Sequence, residues 1–499
     1  MPGGARSSGS GFGERLEASE PLRTAREALA GGRAWIVGGA LRDALLGREF
    51  RDLDLSIEPG DEREAARAVA RAAGGNAFVF SRQWRTWRAA WPDGEVHVDV
   101  TPLHDGAIED DLRGRDFTVN SMALPIADAS AAAAAEALID PFGGLADAES
   151  RRLRATTAET FASDPLRVLR AARLAAELGF EVAEPTAELA RAEAGRAGEP
   201  AGERQLAELA ALLAGPDPIS GLEILDRLGA TPAVLPELDA LRGVEQNPYH
   251  HLDVHGHTIE VLRRLLEVER DLERYAGQHA AGVCAVLDEP LADGLRRGEA
   301  LRLGALFHDL GKPETRTVND DGRVLFLGHD LVGARIVAGV CGRLRSSRRL
   351  RAYLERICLN HLRLGFLVHE RPLSRRAIYD YLAATDPDSV CVTLLTVADR
   401  LATQGERTRP EAIDAHLELA RQMLGEALAW RASGPPRPPV SGDELVAELG
   451  IEPGPEIGRL LAELTAASFA GEVEGREGAI ELARDLHGRA GRSSTAEGS

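Results

Sequence analysis

Trp35-Ile36-Val37-Gly38-Gly39-Ala40-Leu41-Arg42-Asp43-Ala44-Leu45-Leu46-Gly47-Arg48, followed at once by Arg51-Asp52-Leu53-Asp54-Leu55, says more about this chain than any other segment. An apolar run enters a Gly-Gly turn. A helix with Arg42 and Asp43 follows, and then a strand with carboxylates at i and i+2. Alternate residues of a strand face the same way, so Asp52 and Asp54 share one space. Two carboxylates on one face suit Mg²⁺ bound to a triphosphate, which takes few hard oxygen ligands and completes its octahedron with water and phosphate. The Gly-Gly turn lets backbone N–H groups approach phosphate closely. Singly, a Gly-Gly pair or an Asp-x-Asp pair is common in turns and solvated strands. In this order and at this distance they imply a nucleotidyl-transfer site.

The chain has 499 residues, enough for more than one domain. Hydrophobic residues make up 44% and charged residues 28%, which suits globular domains. No apolar run reaches the length of a membrane span. Met1 to Gly13 is rich in Gly and Ser without an apolar centre, unlike a secretory signal, so a cytoplasmic, non-membrane protein is expected. Cys284, Cys341, Cys358 and Cys391 are scattered and form no C-x-x-C pair, as for small buried hydrophobes in a reducing compartment. The net charge of −20 opposes a nucleic-acid partner at first sight. The charge is uneven, however: Arg82/Arg85/Arg88, Arg151–Arg154 and Arg343–Arg351 are basic clusters, and a polymerase needs only a local positive track. Lys312 is the only lysine. This bias toward arginine is a property of the whole chain, so a single arginine carries little signal.

From Ala34 to Val100 strand-like and helix-like runs alternate: strand Ala34–Gly38, helix Ala40–Leu46, strand Asp52–Ile57, helix Asp61–Ala73, then strands Ala77–Phe80, Thr86–Trp91 and Val96–Val100. That pattern predicts a small α/β head with a mixed sheet. Ala131–Ala135 reads as low-complexity filler. From Thr156 onward the pattern is helical. Gly434-Pro435-Pro436-Arg437-Pro438-Pro439 is the clearest linker.

Two further constellations follow the head. In Asp111-Leu112-Arg113-Gly114-Arg115-Asp116-Phe117-Thr118-Val119-Asn120-Ser121-Met122-Ala123, an Arg–Asp pair beside an Asn can hold phosphate and ribose hydroxyls, or simply close a capped loop. In Ser163-Asp164-Pro165-Leu166-Arg167-Val168-Leu169-Arg170-Ala171-Ala172-Arg173-Leu174, Ser163 or Asp164 can cap a helix with Pro165 in its first turn. Asp164 and Arg167 then share a helical face, as a helix-start ion pair or as a ligand-reading pair. Asp99, alternating with apolar residues in Val96–Val100, reads either as a third carboxylate near the metals or as a sheet-face Asp hydrogen-bonded to its surroundings.

These strings resemble the class II CCA-adding enzyme and bacterial poly(A) polymerase family, whose signatures run roughly GGxVRDxLLGR…DxDL, RRDFTxNA and EDxxR. Leu41 stands for the usual Val, Gly114 for the first Arg of the second signature, Ser121 for its Ala, and Ser163 for the Glu of the third; Arg113 can substitute at Gly114. Glu203-Arg204 falls where a weaker signature would sit. The resemblance implies that Asp52 and Asp54 are catalytic and hold Mg²⁺. It implies nucleotide binding by Gly38, Gly39, Arg42, Arg115, Asp116, Asn120, Asp164, Arg167 and Arg170, with the incoming base read by side chains instead of a template. Two Mg²⁺ ions would activate the RNA 3′-hydroxyl and stabilise pyrophosphate as the hydroxyl attacks the α-phosphate in line.

His257, His308-Asp309, His329, His361 and Asp399 form a second set in the helical half. Adjacent His and Asp in an apolar helical stretch would be costly to bury without a partner such as a metal. The series resembles the HD phosphohydrolase superfamily, whose ligands are spread as H…HD…D, often with two further histidines. The resemblance implies a divalent transition metal of open identity, with His329 and His361 available for a second ion, and phosphate-ester hydrolysis, for example at RNA ends. Lys312, just after the pair, is a candidate phosphate contact.

The expected fold is α+β: a polymerase-beta-like nucleotidyltransferase head, a helical neck and an all-α HD domain. The expected segments are a disordered 1–20, head 21–150, neck 151–240, HD domain 241–430, Pro-rich linker 431–440, helical segment 441–485 and disordered tail 486–499. The expected activity is template-independent completion or repair of the tRNA 3′-terminal CCA from CTP and ATP, with a second, phosphohydrolase site. A poly(A) polymerase, a CC-only or A-only enzyme, a phosphohydrolase with a nucleotide-binding head and a non-catalytic RNA-binding protein are the alternatives.

Overall fold

The computed structural model describes residues 10–82, 84–103 and 106–496, with side chains to residue 488. The chain forms two compact units that meet in sequence between Val234 and Leu235.

The first unit is built on a six-stranded mixed sheet. Its strands are β1 (Ala34–Val37), β2 (Asp52–Ile57), β3 (Asn76–Ser81), β4 (Thr86–Ala90), β5 (His97–Pro102) and β6 (Ala123–Pro125), in the order β3-β4-β5-β2-β1-β6. Only β2 and β5 run parallel; every other pair is antiparallel. The parallel register sets Asp52 opposite His97 and Asp54 opposite Asp99. Period-two alternation does the rest: Leu53, Leu55, Val98 and Val100 turn into one core, and the acidic positions turn to the other face.

Helices α1 (Ser10–Ala18), α2 (Glu20–Ala28), α3 (Gly39–Leu46) and α4 (Glu62–Ala72) supply that core. Disorder was expected through residue 20, but α1 is a helix whose Phe12 and Leu16 are buried. Each such burial contributes about 1.5–3 kcal/mol, which offsets the weak helix propensity of the neighbouring glycines. Residues 1–9 of that segment lie outside the described residues. The alanine run is not filler alone, since Ala134 packs into the same core. Beyond the sheet the unit is helical. Leu166–Leu178 begins after Pro165 and stops at Gly179, which takes the left-handed conformation. Gly202–Ala214 packs beside it.

The second unit is mostly helical. Val254–Arg270, Arg297–Phe307, His329–Arg343, Arg348–Asn360, Ser389–Ala402 and the long helix Pro410–Ser433 form its main body. Two short hairpins, Pro290–Arg296 and Arg316–Phe326, interrupt a region expected to be entirely helical. Pro410–Ser433 runs into the expected linker, leaving 434–439 outside regular structure. Gly442–Leu449, Pro455–Ala470 and Gly475–Ala496 then close around Leu445, Leu460, Leu464 and Ile480. The last of these helices covers residues 486–496, where a disordered tail was expected; 497–499 lie outside the described residues. No described helix is long and apolar enough to cross a membrane.

Candidate active sites in two units

In the first unit, Gly38 joins β1 to α3 with φ of 76°, a region L-residues rarely adopt. A Cβ there would stand 3.1 Å from Asp54 Oδ2 and 3.2 Å from Arg115 Nη1, so the glycine leaves room between the two. Asp52 is exposed and lies 3.0 Å from His97 Nε2. Asp54 is open to solvent along one side. The protein packed around Asp54 raises its carboxyl above the usual range; Arg115 pulls it down, while Asp99 and Asp52 push it up. Asp52 is raised as well, first by its surroundings, with His97 and Arg88 opposing. Two neighbouring carboxylates whose ionisation is opposed by burial and by the nearby Asp99 fit a cation. Asp99 is not such a free ligand. It gives both oxygens to Arg88, at 2.7 Å each.

The three sequence signatures meet in one closed ring of side chains. Asp43 binds Arg42 at 3.0 and 2.9 Å. Arg42 Nη1 donates to Asn120 Oδ1 (2.8 Å), and Asn120 Nδ2 donates to Asp116 Oδ1 (3.0 Å). Asp116 Oδ2 accepts from Arg170 Nη1 (3.3 Å), and Arg170 Nε donates to Glu208 Oε1 (2.7 Å). Glu208 Oε2 accepts from Arg173 Nε, and Arg173 Nη1 donates to Glu177, both at 2.7 Å. Glu177 meets Arg48 at 3.4 Å, and Arg48 returns to Asp43 at 3.8 Å. The helix Leu166–Leu178 makes this possible, because Arg167, Arg170 and Arg173 recur every three residues along one stripe. Burial would raise the Asp116 carboxyl, but Arg170, Asn120 and the Phe117 N–H outweigh it and hold it below its ordinary range.

Arg167 spans to the Gly114 carbonyl (2.7 Å), the very position at which the resembled signature carries an arginine. Arg113 instead has its guanidinium over Phe142, 5.5 Å from the ring centre. Asp164 is held by Arg204 at 2.6 and 3.4 Å, so the weakly weighted Glu203-Arg204 does contribute a partner. Arg115 Nε and Arg167 Nε are buried donors without a protein acceptor, ready for an anionic or carbonyl-bearing ligand. The sequence reading missed Glu177 and Glu208, and read Arg88 only as one of a basic cluster.

In the second unit, His257, His308, Asp309, His329, His361 and Asp399 come together. His257 lies in Val254–Arg270, His308 and Asp309 at the end of Arg297–Phe307, His329 at the start of its helix, His361 at the end of Arg348–Asn360, and Asp399 in Ser389–Ala402. Asp309 and the four histidines are buried. Three Nδ1 atoms sit on backbone carbonyl oxygens: His308 on Ala305 (2.8 Å), His329 on Phe326 (2.7 Å) and His361 on Cys358 (2.6 Å). A carbonyl can only accept, so each Nδ1 carries the proton and each Nε2 presents a lone pair inward. His329 Nε2 and His361 Nε2 then face each other at 3.3 Å. His257 Nε2 lies 3.1 Å from Asp399 Oδ1 and His308 Nε2 3.1 Å from Asp309 Oδ2, while Asp309 Oδ1 is buried without a hydrogen-bond partner.

Ligand atoms of His257, His308 and Asp309 converge within 4.8 Å, as do those of Asp309, His329 and His361. Converging lone pairs and a buried carboxylate fit one or two divalent transition metals. Burial would raise Asp309, but the positive charge packed against it, the Lys312 ammonium included, outweighs it and keeps it well below the carboxylate range. Burial pushes the His361 imidazole down to about 4, so it stays neutral and able to ligate. Lys312 is buried, with its ammonium 2.6 Å from Asp309 Oδ2 and 2.7 Å from Gln246 Oε1. It is thus committed inside the cluster as a counter-ion. His250, edge-on to His257 at 4.8 Å between ring centres, was not foreseen.

Residues 34–154 match the family model described as the poly A polymerase head domain, and residues 254–404 match the HD domain. An A-adding tRNA nucleotidyltransferase of Deinococcus radiodurans is 35% identical over 454 residues, covering 88% of this chain and 92% of the relative. A CC-adding tRNA nucleotidyltransferase of Thermus thermophilus is 36% identical over 479 residues, covering 93% and 96%.

The chain belongs to the tRNA nucleotidyltransferase family.

The fold agrees. A Thermotoga maritima CCA-adding enzyme complexed with tRNA superposes with a TM-score of 0.55 over 95% of this chain and 97% of that one, at 18% identity. Within this nucleotidyltransferase, the matched head holds Asp52, Asp54, Arg115, Asp116 and Asn120, while Asp164, Arg167, Arg170 and Glu208 lie beyond it. The matched HD segment holds all six clustered residues and Lys312.

Proposed function

We propose that the first unit transfers CMP and AMP from CTP and ATP to the 3′ end of tRNA without a nucleic-acid template. The observation that carries this reading is the closed ring, which ties Arg42, Asn120, Asp116 and Arg170 together, with Arg42 on the helix capped by Gly38, itself beside Asp54. Asp52 and Asp54 would hold Mg²⁺, which supplies the positive charge that a triphosphate and its leaving group require. Arg115 faces the same space and adds charge where phosphate oxygens would lie. Asp116 and Asn120 would bind the ribose, and Asp164 and Arg167 would read the base edge. The RNA 3′-hydroxyl attacks the α-phosphorus, one phosphodiester forms, and pyrophosphate leaves.

Complete CCA addition is the reading we favour. Addition of A alone or of CC alone is the second, because the two relatives described above are named for those halves. Extension of tRNAs ending before CCA, after C and after CC, each with CTP, ATP or both, separates them at single-nucleotide resolution. Addition of C, C and A to the shortest tRNA supports complete addition. A stop after CC, or extension only of the CC-ended tRNA, moves the assignment to a half-activity. Long A tails on unrelated RNAs would make it a poly(A) polymerase.

We further propose that the second unit is a metal-dependent phosphohydrolase. His257, His308, Asp309, His329, His361 and Asp399 would hold a divalent transition metal, which supplies Lewis acidity toward a phosphate ester. The convergence of the imidazole nitrogens on the buried Asp309 supports this. Phosphate release from RNA 3′-phosphates and 2′,3′-cyclic phosphates, with and without added metal, tests it.

A further inference from the structure

Strand β3 forms one edge of the six-stranded sheet. Period-two alternation turns its Ala77 toward the core, where it packs, and Phe78 to the other face. The pairing registers Phe78, Arg88, Asp99 and Asp54 in one row across β3, β4, β5 and β2. Residues directly opposite one another share a face, so Phe78 stands on the face that carries the candidate Mg²⁺ ligands. The register slips between Val79 and Ser81, and Phe80 reaches the same face. The Arg88 guanidinium lies over its ring, 3.7 Å from the centre. Phe78 is nevertheless 47% exposed and Phe80 54%.

Large rings exposed on an edge strand are a liability unless a ligand uses them. Their neighbours indicate which ligand. Arg82, Trp84 and Arg85 are exposed in the β3–β4 connection, with Arg85 also paired to Glu62. Rings interleaved with arginines suit an unpaired nucleic-acid strand, whose bases stack and whose phosphates are anionic. Position in the sheet separates that strand from the incoming nucleotide. Gly38 and Arg115 meet Asp54 from the β1 side, and Asp116 and Asn120 lead into β6 beyond it. Strand β3 lies on the opposite side of β2, three strands away, roughly 14 Å at ordinary strand spacing. The Phe80 ring, over Arg88, lies nearer. At about 3.4 Å per stacked nucleotide, bases two to four positions before a 3′ end at Asp54 fall over these rings.

We infer that Phe78 and Phe80 are a stacking platform for bases of the unpaired RNA 3′ end, shortly before the hydroxyl that reacts at Asp52 and Asp54. The inference deepens the nucleotidyltransferase reading and rests on it for the place of the reacting end. The two rings are positioning residues and touch no reacting atom. Arg88 bridges Phe80 to Asp99, so a base on Phe80 rests on the same row of side chains as Asp54.

The test measures affinity of the full chain for a tRNA ending after CC, by fluorescence anisotropy in chelator, and then extension kinetics on whichever tRNA end the native chain extends. Phe78→Ala/Phe80→Ala is expected to raise Kd and KM for tRNA about tenfold, the order of one lost base stack. KM for CTP and ATP and kcat should change less than about twofold, since neither ring meets the nucleotide. Phe78→Tyr/Phe80→Tyr keeps flat rings and should keep native affinity. Phe78→Leu/Phe80→Leu is apolar but not flat and should behave as the alanine pair. A CC-ended tRNA with one abasic nucleotide, second or third from its 3′ end, tests the native chain without substitution. At one of these positions it should bind about tenfold more weakly than intact tRNA, and the alanine pair should not distinguish the two. Unchanged tRNA affinity in the alanine pair, full affinity in the leucine pair, or abasic and alanine losses that multiply would overturn the proposal. So would a native dimer, seen by sedimentation, that the alanine pair dissolves while RNA affinity stays. Extension by the native chain without the ring-dependent loss removes the platform alone. The ring-dependent loss of affinity without any extension removes the transferase reading and keeps the RNA platform.

Discussion

Arg88 holds Asp99 with two 2.7 Å hydrogen bonds, and Asp99 stands in register with Asp54 on the neighbouring parallel strand. The pair is mostly enclosed, so removing one member leaves a poorly solvated charge. Arg88→Ala is expected to cost about 1–3 kcal/mol in urea unfolding, and Arg88→Ala/Asp99→Ala less than the sum of the two single changes. An additive result would mean the two side chains do not interact in solution.

Asp54 and Asp99 should also separate in catalysis. Asp54→Asn is expected to reduce nucleotide incorporation on the order of 10³-fold. Asp99→Asn, whose carboxylate is already taken by Arg88, should cost about tenfold or less. Single-turnover extension rates at saturating CTP decide between them, and equal losses would make Asp99 a metal ligand.

Gly38→Ala should be worse than its size suggests. The residue has φ of 76°, and its Cβ would press between Asp54 and Arg115. A stability loss of about 1–3 kcal/mol is expected from the backbone alone. Incorporation should fall further than thermal stability does. A variant with native extension rates would show that the turn can open without disturbing Asp54.

Glu208 touches no expected ligand, yet it grips Arg170 and Arg173. Glu208→Gln keeps the shape and removes the charge. It should raise KM for CTP and ATP about tenfold, consistent with loss of a charge-assisted hydrogen bond, with a smaller change in kcat. A change in kcat alone would place the ring's effect on chemistry instead of nucleotide binding.

Acid should act on the second unit through His416. Its folded value, about 4, is below the ordinary 6.5, so the neutral form is favoured by folding. That stability is fully present above 6.5 and is lost as pH falls toward 4. By pH 5 the loss is about 2 kcal/mol. His416→Gln should therefore gain relative to the native chain as pH falls from 7.5 to 5. Parallel stability curves in urea at the two pH values would contradict this.

Much of the head was legible because each signal was local. Alternation in Asp52–Ile57 and the Gly-Gly turn fix one strand and one turn, and both lie where they were expected. The histidine cluster was legible because His308-Asp309 in an apolar helix has few alternatives to a cation. The ring was not. Glu208 and Glu177 are ordinary helix-surface residues in sequence, and an arginine-rich chain hides Arg173 and Arg88 among many equivalents. The helix at Ser10–Ala18 was missed for the opposite reason: glycine and serine dominate the string, while only Phe12 and Leu16 carry the packing.

The buried Lys312–Asp309 pair has a consequence for the outside of the molecule. It sequesters the chain's only lysine, so every cationic side chain left on the surface, histidine aside, is a guanidinium. Such a surface keeps its positive charge to beyond about pH 12 and is untouched by acylating reagents. Alkaline buffers and amine-directed labels should therefore leave its affinity for polyanions unchanged, where a lysine-rich surface would lose it.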